Sequence, residues 1–284
     1  MKIDLHSHSI HSDGTLTPSE LLNLAKNNNI DVLAITDHDD IEGSKKLIES
    51  NHQGIIVYSG VELNAKVDKG QMHILGYNID LYNENLNNKL KELKENSKHN
   101  IMLYVNQLKE DYNIELPKAD IEKILNREGN IGRPLLALLL IKYGYVSTVA
   151  EAFDKYLRDE KVRHHKMWIT KEECINLINE AGGIAVLAHP FTLKLTNEEL
   201  HEELKELVNL GLKGIEIIHS KSNEEQRTFY KELAKEFNLI TTAGTDYHGK
   251  EVKPDIELGS GIKENVQIDE NTISLLNQVP TRYQ

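Results

Sequence analysis

The sequence predicts an α/β protein in which short strands alternate with helices. Two observations favour this class. Short apolar runs alternate with amphipathic helical patterns, and most of the apolar runs end at a polar turn. A repeated strand–helix order is typical of a parallel sheet covered by helices. Six to eight such units suit a barrel or near-barrel, and an open doubly wound sheet is the main alternative.

The first 80 residues contain four predicted strands, at residues 2–5, 30–36, 54–63 and 72–79. Two helices are predicted between them, at residues 17–28 and 41–50. In the first helix, Thr17 has the pattern of an N-cap, Pro18 stands at the first helical position, and Glu20 completes a capping box. The start of this helix is therefore predicted from its own local chemistry.

Three further strands are predicted in the last third of the chain, at residues 182–190, 211–220 and 237–248. The helical patterns there lie at residues 198–210 and 224–237, with a closing helix at residues 267–278. The single cysteine, Cys174, lies in another helical pattern, and we expect it to pack in the core. One cysteine cannot form an internal disulfide, which fits a reducing compartment.

A long interruption separates these two halves, from about residue 81 to residue 168. Its helical patterns lie at residues 83–112, 118–128, 134–144 and 147–157. We therefore divide the chain into a barrel, formed by residues 1–80 and 169–284, and an inserted helical subdomain, residues 81–168.

The chain has 284 residues and a formal net charge of −12. This acidic balance disfavours a surface for long nucleic acids, but it allows a small phosphorylated substrate because metal ions can reverse the local field. No apolar run approaches the ~20 residues of a membrane helix, and no secretory leader follows Met1. We expect a cytoplasmic monomer that does not bind a membrane.

Imidazole and carboxylate side chains recur where the predicted strands end. They belong to His6, His8, Asp13, His38, Glu62, His73, His189, Glu216, His219, Asp246 and His248. In a parallel α/β barrel the carboxyl ends of the strands converge on one mouth, so we expect these groups to lie together. His6 and His8 project to the same side of an extended segment, an arrangement that can bind a transition metal. We expect the other histidines at the surface: His11, His52, His99, His164, His165 and His201.

Three aspartates follow the second predicted strand and allow two interpretations. Asp37, Asp39 and Asp40 either orient metal ligands through hydrogen bonds or form turn and helix-capping contacts. For Glu216 we favour support of a ligand through a hydrogen bond over direct binding of a metal.

Seven short motifs, taken in order, resemble the PHP (polymerase and histidinol phosphatase) family of metal-dependent phosphoesterases. They are DLHSHSIHSDGTLTP, LAITDHDDIEG, VELNA, HILGY, VLAHP, GIEIIHS and GTDYHG, and they cover the strands from Ile3 to Gly249. The resemblance implies a distorted (β/α)7 TIM-like barrel with two or three divalent metal ions at its mouth. It implies nine metal ligands: His6, His8, Asp13, His38, Glu62, His73, His189, Asp246 and His248.

The inserted region GNIGRPLLALLLIKYGYVSTVAEAFDKYL resembles that of the stand-alone branch of the family, which acts on nucleotides and short oligonucleotides. This resemblance implies that Arg133 of the GRP motif binds a substrate phosphate and that the insertion lies over the active site. Leu135 stands where such relatives usually carry a histidine, and residues 158–168 replace a segment containing glycine and proline. His164 or His165 could supply the missing imidazole.

The resemblance and the ligand types together predict hydrolysis of phosphate esters by a hydroxide that bridges two metals. Manganese is expected, and iron, zinc or magnesium also suit mixed nitrogen and oxygen ligands. Arg133 either holds a phosphate or pairs with an acidic helix, and His219 is the candidate to contact phosphate and protonate the leaving oxygen. Two alternatives stay open: a histidinol-phosphate phosphatase, which the GRP-containing insertion disfavours, and a metal-binding module without turnover.

Overall fold

A computed structural model describes residues 1–158, 162, 165–268 and 273–283, without the side chains of residues 276 and 277. The strands are β1 (Ile3–Asp4), β2 (Val32–Ala34), β3 (Ile56–Tyr58), β4 (Gly60–Ala65), β5 (Met72–Tyr77), β6 (Ile184–Leu187), β7 (Gly214–His219) and β8 (Ile240–Gly244). The helices are α1 (Pro18–Asn27), α2 (Glu42–Glu49), α3 (Glu84–Tyr112), α4 (Lys118–Leu125), α5 (Arg133–Lys142), α6 (Val149–Lys155), α7 (Lys171–Glu180), α8 (Asn197–Asn209), α9 (Glu224–Glu236) and α10 (Ser274–Gln278). A short 3-10 turn, Pro190–Leu193, follows β6.

The described strands form two sheets. In the first sheet, β1, β2 and β3 lie side by side and are parallel. In the second sheet the order is β4-β5-β6-β7-β8, and β6, β7 and β8 are parallel. Helices α1, α2, α8 and α9 connect these parallel strands, which confirms the strand–helix rhythm predicted for both halves of the sequence.

The middle of the second sheet differs from the predicted parallel order. β4 and β5 are antiparallel, and so are β5 and β6. Only residues 66–71 join β4 to β5, which is too short for a parallel crossover of a dozen or more residues. The parallel prediction is wrong here, because the apolar pattern of a strand does not encode its direction. The reversal brings His73 beside the end of β6, where the backbone N–H of Ala188 donates to the His73 carbonyl (3.1 Å).

The predicted third strand, residues 54–63, is in fact two strands separated at Ser59. A Cβ at Gly60 would lie 2.7 Å from the carbonyl oxygen of Ile35, so this close approach to the chain after β2 requires glycine. The backbone N–H of Gly60 donates to Ser44 Oγ (2.9 Å). The chain therefore passes at this point from the first sheet to the second.

The second sheet contacts the first at both of its margins, β8 and β4. Next to β1 and β8, the backbone N–H of Leu5 donates to the Ala243 carbonyl (3.1 Å). After β2, the N–H of Asp39 donates to the Glu62 carbonyl (2.9 Å). Side chains from both sheets share one apolar core, in which Cys174 is fully buried. Burial raises the pKa of its thiol well above the usual value, which agrees with the predicted packing role.

Local chemistry fixes the start of several helices. At α1, Thr17 Oγ1 accepts from the backbone N–H of Glu20 (3.2 Å), and the Glu20 carboxylate accepts from the N–H of Thr17 (2.8 Å). Pro18 occupies the first turn, so the predicted N-terminus of this helix is confirmed. The same reciprocal capping begins α7, α8 and α9.

The helices predicted for residues 81–168 are present as α3 to α6. They enclose an apolar cluster distinct from the main core, which includes Ile101, Tyr104, Leu136 and Leu140. The division of the chain into a barrel and a separate helical subdomain, residues 81–168, stays a prediction. The 29-residue helix α3 carries charged side chains along its whole length. Among the described residues, no helix has the length and apolarity needed to cross a membrane.

Candidate metal centre

Side chains from most of the strand ends meet in one buried cluster. Its members are His6 and His8 after β1, Asp13 in the turn that follows, His38 after β2, Glu62 in β4, His73 in β5, His189 after β6, and Asp246 and His248 after β8. These residues supply four overlapping groups of nitrogen and oxygen atoms, and within each group all the atoms lie within 4.8 Å of one another. The structure thus brings together all nine side chains that the resemblance implied as ligands.

Glu62 contacts five imidazoles of this cluster. Its Oε2 has three imidazole nitrogens at 3.1, 3.2 and 3.3 Å, those of His38, His8 and His6. Its Oε1 has two at 2.8 and 3.0 Å, those of His73 and His189. A fully buried carboxylate with both oxygens among imidazole nitrogens has the geometry of a ligand that can bridge two cations.

Two aspartates lie on the other side of the cluster. Asp13 Oδ1 lies 3.1 Å from His248 Nε2, and Asp246 Oδ1 lies 3.2 Å from His8 Nε2. Asp246 has a φ of 57° and His189 a φ of 26°, in the region that favours glycine. Such conformations cost of order 1–3 kcal/mol and persist where the surrounding structure holds them. Both of these residues direct a side chain into the cluster.

Five buried atoms of the cluster have no hydrogen-bond partner in the described part of the chain. They are His6 Nε2, His8 Nε2, His38 Nδ1, Asp13 Oδ1 and Glu62 Oε2. Native proteins rarely leave buried polar atoms unpaired, because each such atom forfeits its hydrogen bonds to water. Nitrogen and oxygen atoms that converge in this way fit divalent metal ions, and the donor set does not select one metal among manganese, iron and zinc.

Glu216, in β7, contacts two members of the cluster, His6 and His189. Its Oε1 lies 2.9 Å from His6 Nδ1, and its Oε2 accepts from the backbone N–H of His189 (2.8 Å). A proton on Nδ1 of His6 leaves the lone pair of Nε2 facing the cluster, which is how buried carboxylates orient histidine ligands. Glu216 lies in none of the four donor groups found among the described residues. This geometry suits the supporting role expected for it.

Asp37 reaches the cluster through Ser12. Ser12 Oγ donates to Asp37 Oδ1 (2.6 Å) and lies 3.4 Å from His8 Nδ1. The backbone N–H and the hydroxyl of Ser9 also donate to Asp37, at 2.7 and 2.6 Å. Asp37 therefore braces the turn that carries His8.

Asp40 forms a local capping contact, whereas Asp39 contacts a residue that is remote in the sequence. Asp40 Oδ1 accepts from the backbone N–H of Glu42 (2.7 Å), at the first residue of α2. Asp39 accepts from the backbone N–H of Asn64 (3.1 Å) and from its side-chain amide (2.9 Å). The capping interpretation therefore accounts for Asp40, whereas Asp39 ties the segment after β2 to β4.

The second oxygen of Asp246 faces two potential proton donors. His219 Nε2 lies 3.2 Å from Oδ2, and Lys253 Nζ forms a close ion pair with the same oxygen. The backbone N–H of Lys221 donates to His219 Nδ1 (2.9 Å), so the neutral imidazole carries its proton on Nε2. Sequence reasoning missed Lys253, because one lysine in a polar turn gives no sign of where its side chain will lie.

Arg133 lies at the start of α5, on the insertion side of the site. Its Nη1 donates to the Leu157 carbonyl (3.1 Å), and the guanidinium carbon lies 5.6 Å from the ring centre of Tyr104 and 5.0 Å from that of Phe153. Cation–π contacts of this kind add to the hydrogen bond in fixing the guanidinium. Leu135, two residues later, is buried in the apolar cluster of the insertion.

His164 and His165 are the candidates to supply the imidazole that position 135 lacks. His165 is exposed, and it does not line the cavity over the cluster. His164 lies outside the described residues.

His11 contradicts the surface prediction, because it is only 2% exposed. The loop before α5 covers it. The backbone N–H of Asn130 donates to the His11 carbonyl (2.7 Å), and a Cβ at Gly129 would lie 2.1 Å from the same oxygen. The ring Nε2 of His11 lies 3.1 Å from Lys46 Nζ. The prediction failed because this contact joins segments that are far apart in the sequence.

Asp4 is a second buried group that sequence reasoning missed. Its carboxylate accepts from the hydroxyl and the backbone N–H of Thr245 (2.6 and 2.9 Å) and from the N–H of Gly259 (2.8 Å). It also accepts from the backbone N–H of His6 (3.2 Å). Burial raises its pKa, while these hydrogen bonds oppose that rise. Asp4 thus ties the segment that bears His6 to the end of β8.

The imidazoles and carboxylates shift one another's pKa values. Burial alone would raise the pKa of Glu62, but the histidines around it, His38 foremost, hold that pKa well below the usual range. Burial would lower the pKa of His8, yet the neighbouring carboxylates of Asp246 and Glu62 raise it to about 9. At His38 burial dominates and lowers the pKa to about 3. Glu62 and Asp246 are thus ionised at neutral pH, as metal ligands must be.

A cavity of ≈ 560 Å³ opens over the cluster. Its base includes His38, Glu62 and Asp246, and its wall on the insertion side includes Arg133 and Phe153. This volume lies within the roughly 300–1,000 Å³ that is common for small-molecule sites. The cavity therefore has room for a small ligand in contact with both the cluster and the insertion.

Several known proteins are similar to this chain in sequence over most of its length. The model of the PHP domain family matches residues 4–240. A 5′-3′ exoribonuclease of Haemophilus influenzae is 32% identical over 250 residues, which cover 87% of this chain and 90% of that protein. A 3′,5′-nucleoside bisphosphate phosphatase of Chromobacterium violaceum is 28% identical, over 87% of each chain.

A solved structure from Bifidobacterium adolescentis, described as a candidate metal-dependent phosphoesterase, has a similar fold. It matches with a TM-score of 0.80 at 27% identity, over 95% of this chain and 93% of the other. The family model extends from β1 to the first residue of β8 and includes the insertion. The chain belongs to the PHP domain family, as its motifs predicted, and it is a hydrolase that acts on phosphoester bonds.

Proposed function

We propose that this chain hydrolyses phosphate esters of nucleotides or short oligonucleotides at a centre of two or three divalent metal ions. The nine cluster side chains would hold the ions, and manganese is the metal we favour. One observation carries the proposal: among the described residues, ten buried side-chain nitrogen and oxygen atoms lack a hydrogen-bond partner, and five of the ten converge in the cluster beneath the cavity. We also propose that the two sheets form the wall of one distorted barrel, because the second sheet contacts the first at both of its margins.

The donor groups support more than one metal position. One consists of His8, Asp13, His38 and His248; the others are His6, Glu62 and His189, then His6, His8 and Asp246, and finally His38, Glu62 and His73. Several residues occur in two groups, so neighbouring ions would share ligands, as in two-metal hydrolases. When bound, such ions supply positive charge for the phosphoryl oxygens and lower the pKa of a water nucleophile.

The residues around the cluster have separate tasks in this proposal. Glu216 keeps the Nε2 lone pair of His6 directed inward. The Nε2–H of His219 lies beside Asp246 Oδ2 at the border of the cavity, and a substrate that reaches it would receive this hydrogen bond at a phosphoryl oxygen or at the leaving oxygen. Arg133 offers a fixed cation with the geometry that phosphate prefers.

Two observations support a small nucleotide substrate. The relatives are an exoribonuclease and a nucleoside bisphosphate phosphatase by name, so nucleotide phosphates are the shared substrate chemistry. The net charge of −12 disfavours a long polyanion, whose binding normally needs a broad basic surface.

A substrate panel tests this proposal. It contains a 3′,5′-bisphosphonucleotide, AMP, short RNA and DNA oligonucleotides and histidinol phosphate, each assayed for phosphate release or chain shortening with manganese present. We expect turnover of at least one nucleotide or oligonucleotide, and its loss in the variant His8→Ala at unchanged circular dichroism. Turnover of histidinol phosphate alone would favour the first alternative. Failure on every substrate would favour a metal-binding module without turnover.

A further inference from the structure

Two lysines border the cavity on the loops that follow β7 and β8. They are Lys221, two residues after His219, and Lys253, in the turn after His248. Two other cationic side chains that line the cavity, Arg133 and Lys166, belong to the insertion. The two lysines therefore form a separate positive region, next to Asp246 and His219.

Lys253 is already paired. Its ammonium forms a close ion pair with Asp246 Oδ2 and lies 3.2 Å from the Asp246 carbonyl oxygen. Its side chain is 21% exposed and that of Asp246 is 13% exposed, so water screens this pair only in part. Since Asp246 Oδ1 faces His8, the lysine pairs with the other oxygen, Oδ2, which faces His219.

Lys221 differs from Lys253 because its ammonium has no hydrogen bond or ion pair with any described residue. Its backbone is nevertheless fixed, since the N–H donates to His219 Nδ1 at 2.9 Å. Burial lowers the pKa of the ammonium, and the charge of Lys253 lowers it further. A cation at the edge of a cavity, beside a second cation and without a counter-ion of its own, is placed to receive an anionic group of a ligand.

We infer that Lys221 binds a phosphate group of the substrate other than the one that is hydrolysed. The hydrolysed phosphate has to reach the base of the cavity, where His6 and His8 are fully buried. Lys221 is exposed at the rim, so it is suited to a group that stays outside the cluster. The ligand class is a nucleotide with two phosphate groups, or an oligonucleotide with a phosphodiester next to the one that is cut. This inference rests on the proposed function.

The test compares two substrates across matched variants. For each protein, kcat/KM is measured for adenosine 3′,5′-bisphosphate and for one adenosine monophosphate, the 3′ or the 5′ isomer, whichever the wild-type protein hydrolyses faster. The readout is kcat/KM for the bisphosphate divided by kcat/KM for the monophosphate. Lys221→Met should lower this ratio by about 10- to 100-fold, the range expected for one hydrogen bond to a charged group. Lys221→Arg should restore most of it. Lys205→Met removes the same charge from α8, away from the cavity, and should leave the ratio as it is.

The ratio separates this inference from simpler roles. An unchanged ratio in Lys221→Met would overturn the inference. If both substrates lose activity equally, Lys221 contacts the hydrolysed phosphate or only supports His219; if neither loses activity, Lys221 contacts no phosphate. If the wild-type protein hydrolyses neither nucleotide, the proposed function fails. Calorimetry with the manganese-loaded protein and the bisphosphate then decides the role of Lys221. Weaker binding by Lys221→Met supports it, and equal binding overturns it.

Discussion

Nε2 of His8 lies 3.2 Å from Oε2 of Glu62, and both side chains are fully buried. Neither atom forms a hydrogen bond with a described residue, although their separation would allow one. His6 and His38 approach the same oxygen in the same way. A carboxylate oxygen surrounded by imidazole nitrogens without hydrogen-bond geometry is better explained by cations between the groups than by direct pairing.

Glu216→Gln should weaken metal binding without removing any proposed ligand. The amide keeps the shape of the side chain but lowers the negative charge beside His6 Nδ1. Loss of such a supporting partner typically lowers metal affinity by about 10- to 100-fold. Manganese titrations by calorimetry and by activity should both move to higher concentration. The control Glu206→Gln changes an exposed carboxylate on α8, and equal affinities in the two variants would contradict the role of Glu216.

His219→Ala should lower kcat in a way that depends on the leaving group. Loss of a general acid typically lowers the rate by about 10²- to 10⁴-fold when the leaving oxygen needs a proton. The leaving group of a nitrophenyl phosphate is stable without a proton, so the variant should lose much less activity on this ester. Rates for a nucleotide and for the nitrophenyl ester in the same variant make the comparison. Equal losses on both substrates would exclude the acid role and leave phosphate binding.

Arg133→Met should raise KM for phosphorylated substrates by about 10- to 100-fold, because a charge-assisted contact to phosphate is lost. Methionine keeps much of the packing against Tyr104 and Phe153, so the thermal midpoint should fall little. Steady-state kinetics and thermal melting are measured on one preparation. An unaltered KM together with a clearly lower midpoint would assign Arg133 to the stability of the insertion.

Gly129→Ala should destabilise the protein by more than a matched glycine replacement. Both Gly129 and Gly144 have positive φ, 85° and 75°, so each alanine carries a backbone cost of roughly 1–2 kcal/mol. Only at Gly129 would the new Cβ meet another atom, the His11 carbonyl oxygen at 2.1 Å, whereas Gly144 has open space. Urea denaturation should give a lower free energy of unfolding for Gly129→Ala than for Gly144→Ala. Equal values would mean that the loop moves away from His11 freely.

The cluster could be predicted from sequence because its members lie next to recognisable strand ends. His-x-His after β1 and the Asp246 and His248 pair after β8 each follow an apolar run directly, so strand position alone predicts where the side chains go. His73 was expected at the same site although its strand runs in the opposite direction. It reaches the site because the start of an antiparallel strand lies at the same edge as the end of its neighbours.

Two of the three contacts that sequence reasoning missed join remote segments, and the third spans one turn. His11 is covered by a loop of the insertion, Asp4 is satisfied by Thr245, and Lys253 pairs with Asp246 across a turn. None of these pairings follows from periodicity or from a local motif. The prediction of parallel strands in the middle of the second sheet failed for a similar reason, because strand direction depends on which strands become neighbours in the folded chain.

The metal content of the folded protein tests the central claim most directly. The purified chain is equilibrated with manganese, passed through gel filtration to remove unbound ions, and analysed by inductively coupled plasma mass spectrometry against protein concentration. We expect two to three equivalents per chain, because the cluster offers overlapping donor groups that share ligands. A protein that is folded by circular dichroism and retains less than one equivalent of manganese, iron or zinc would contradict the account.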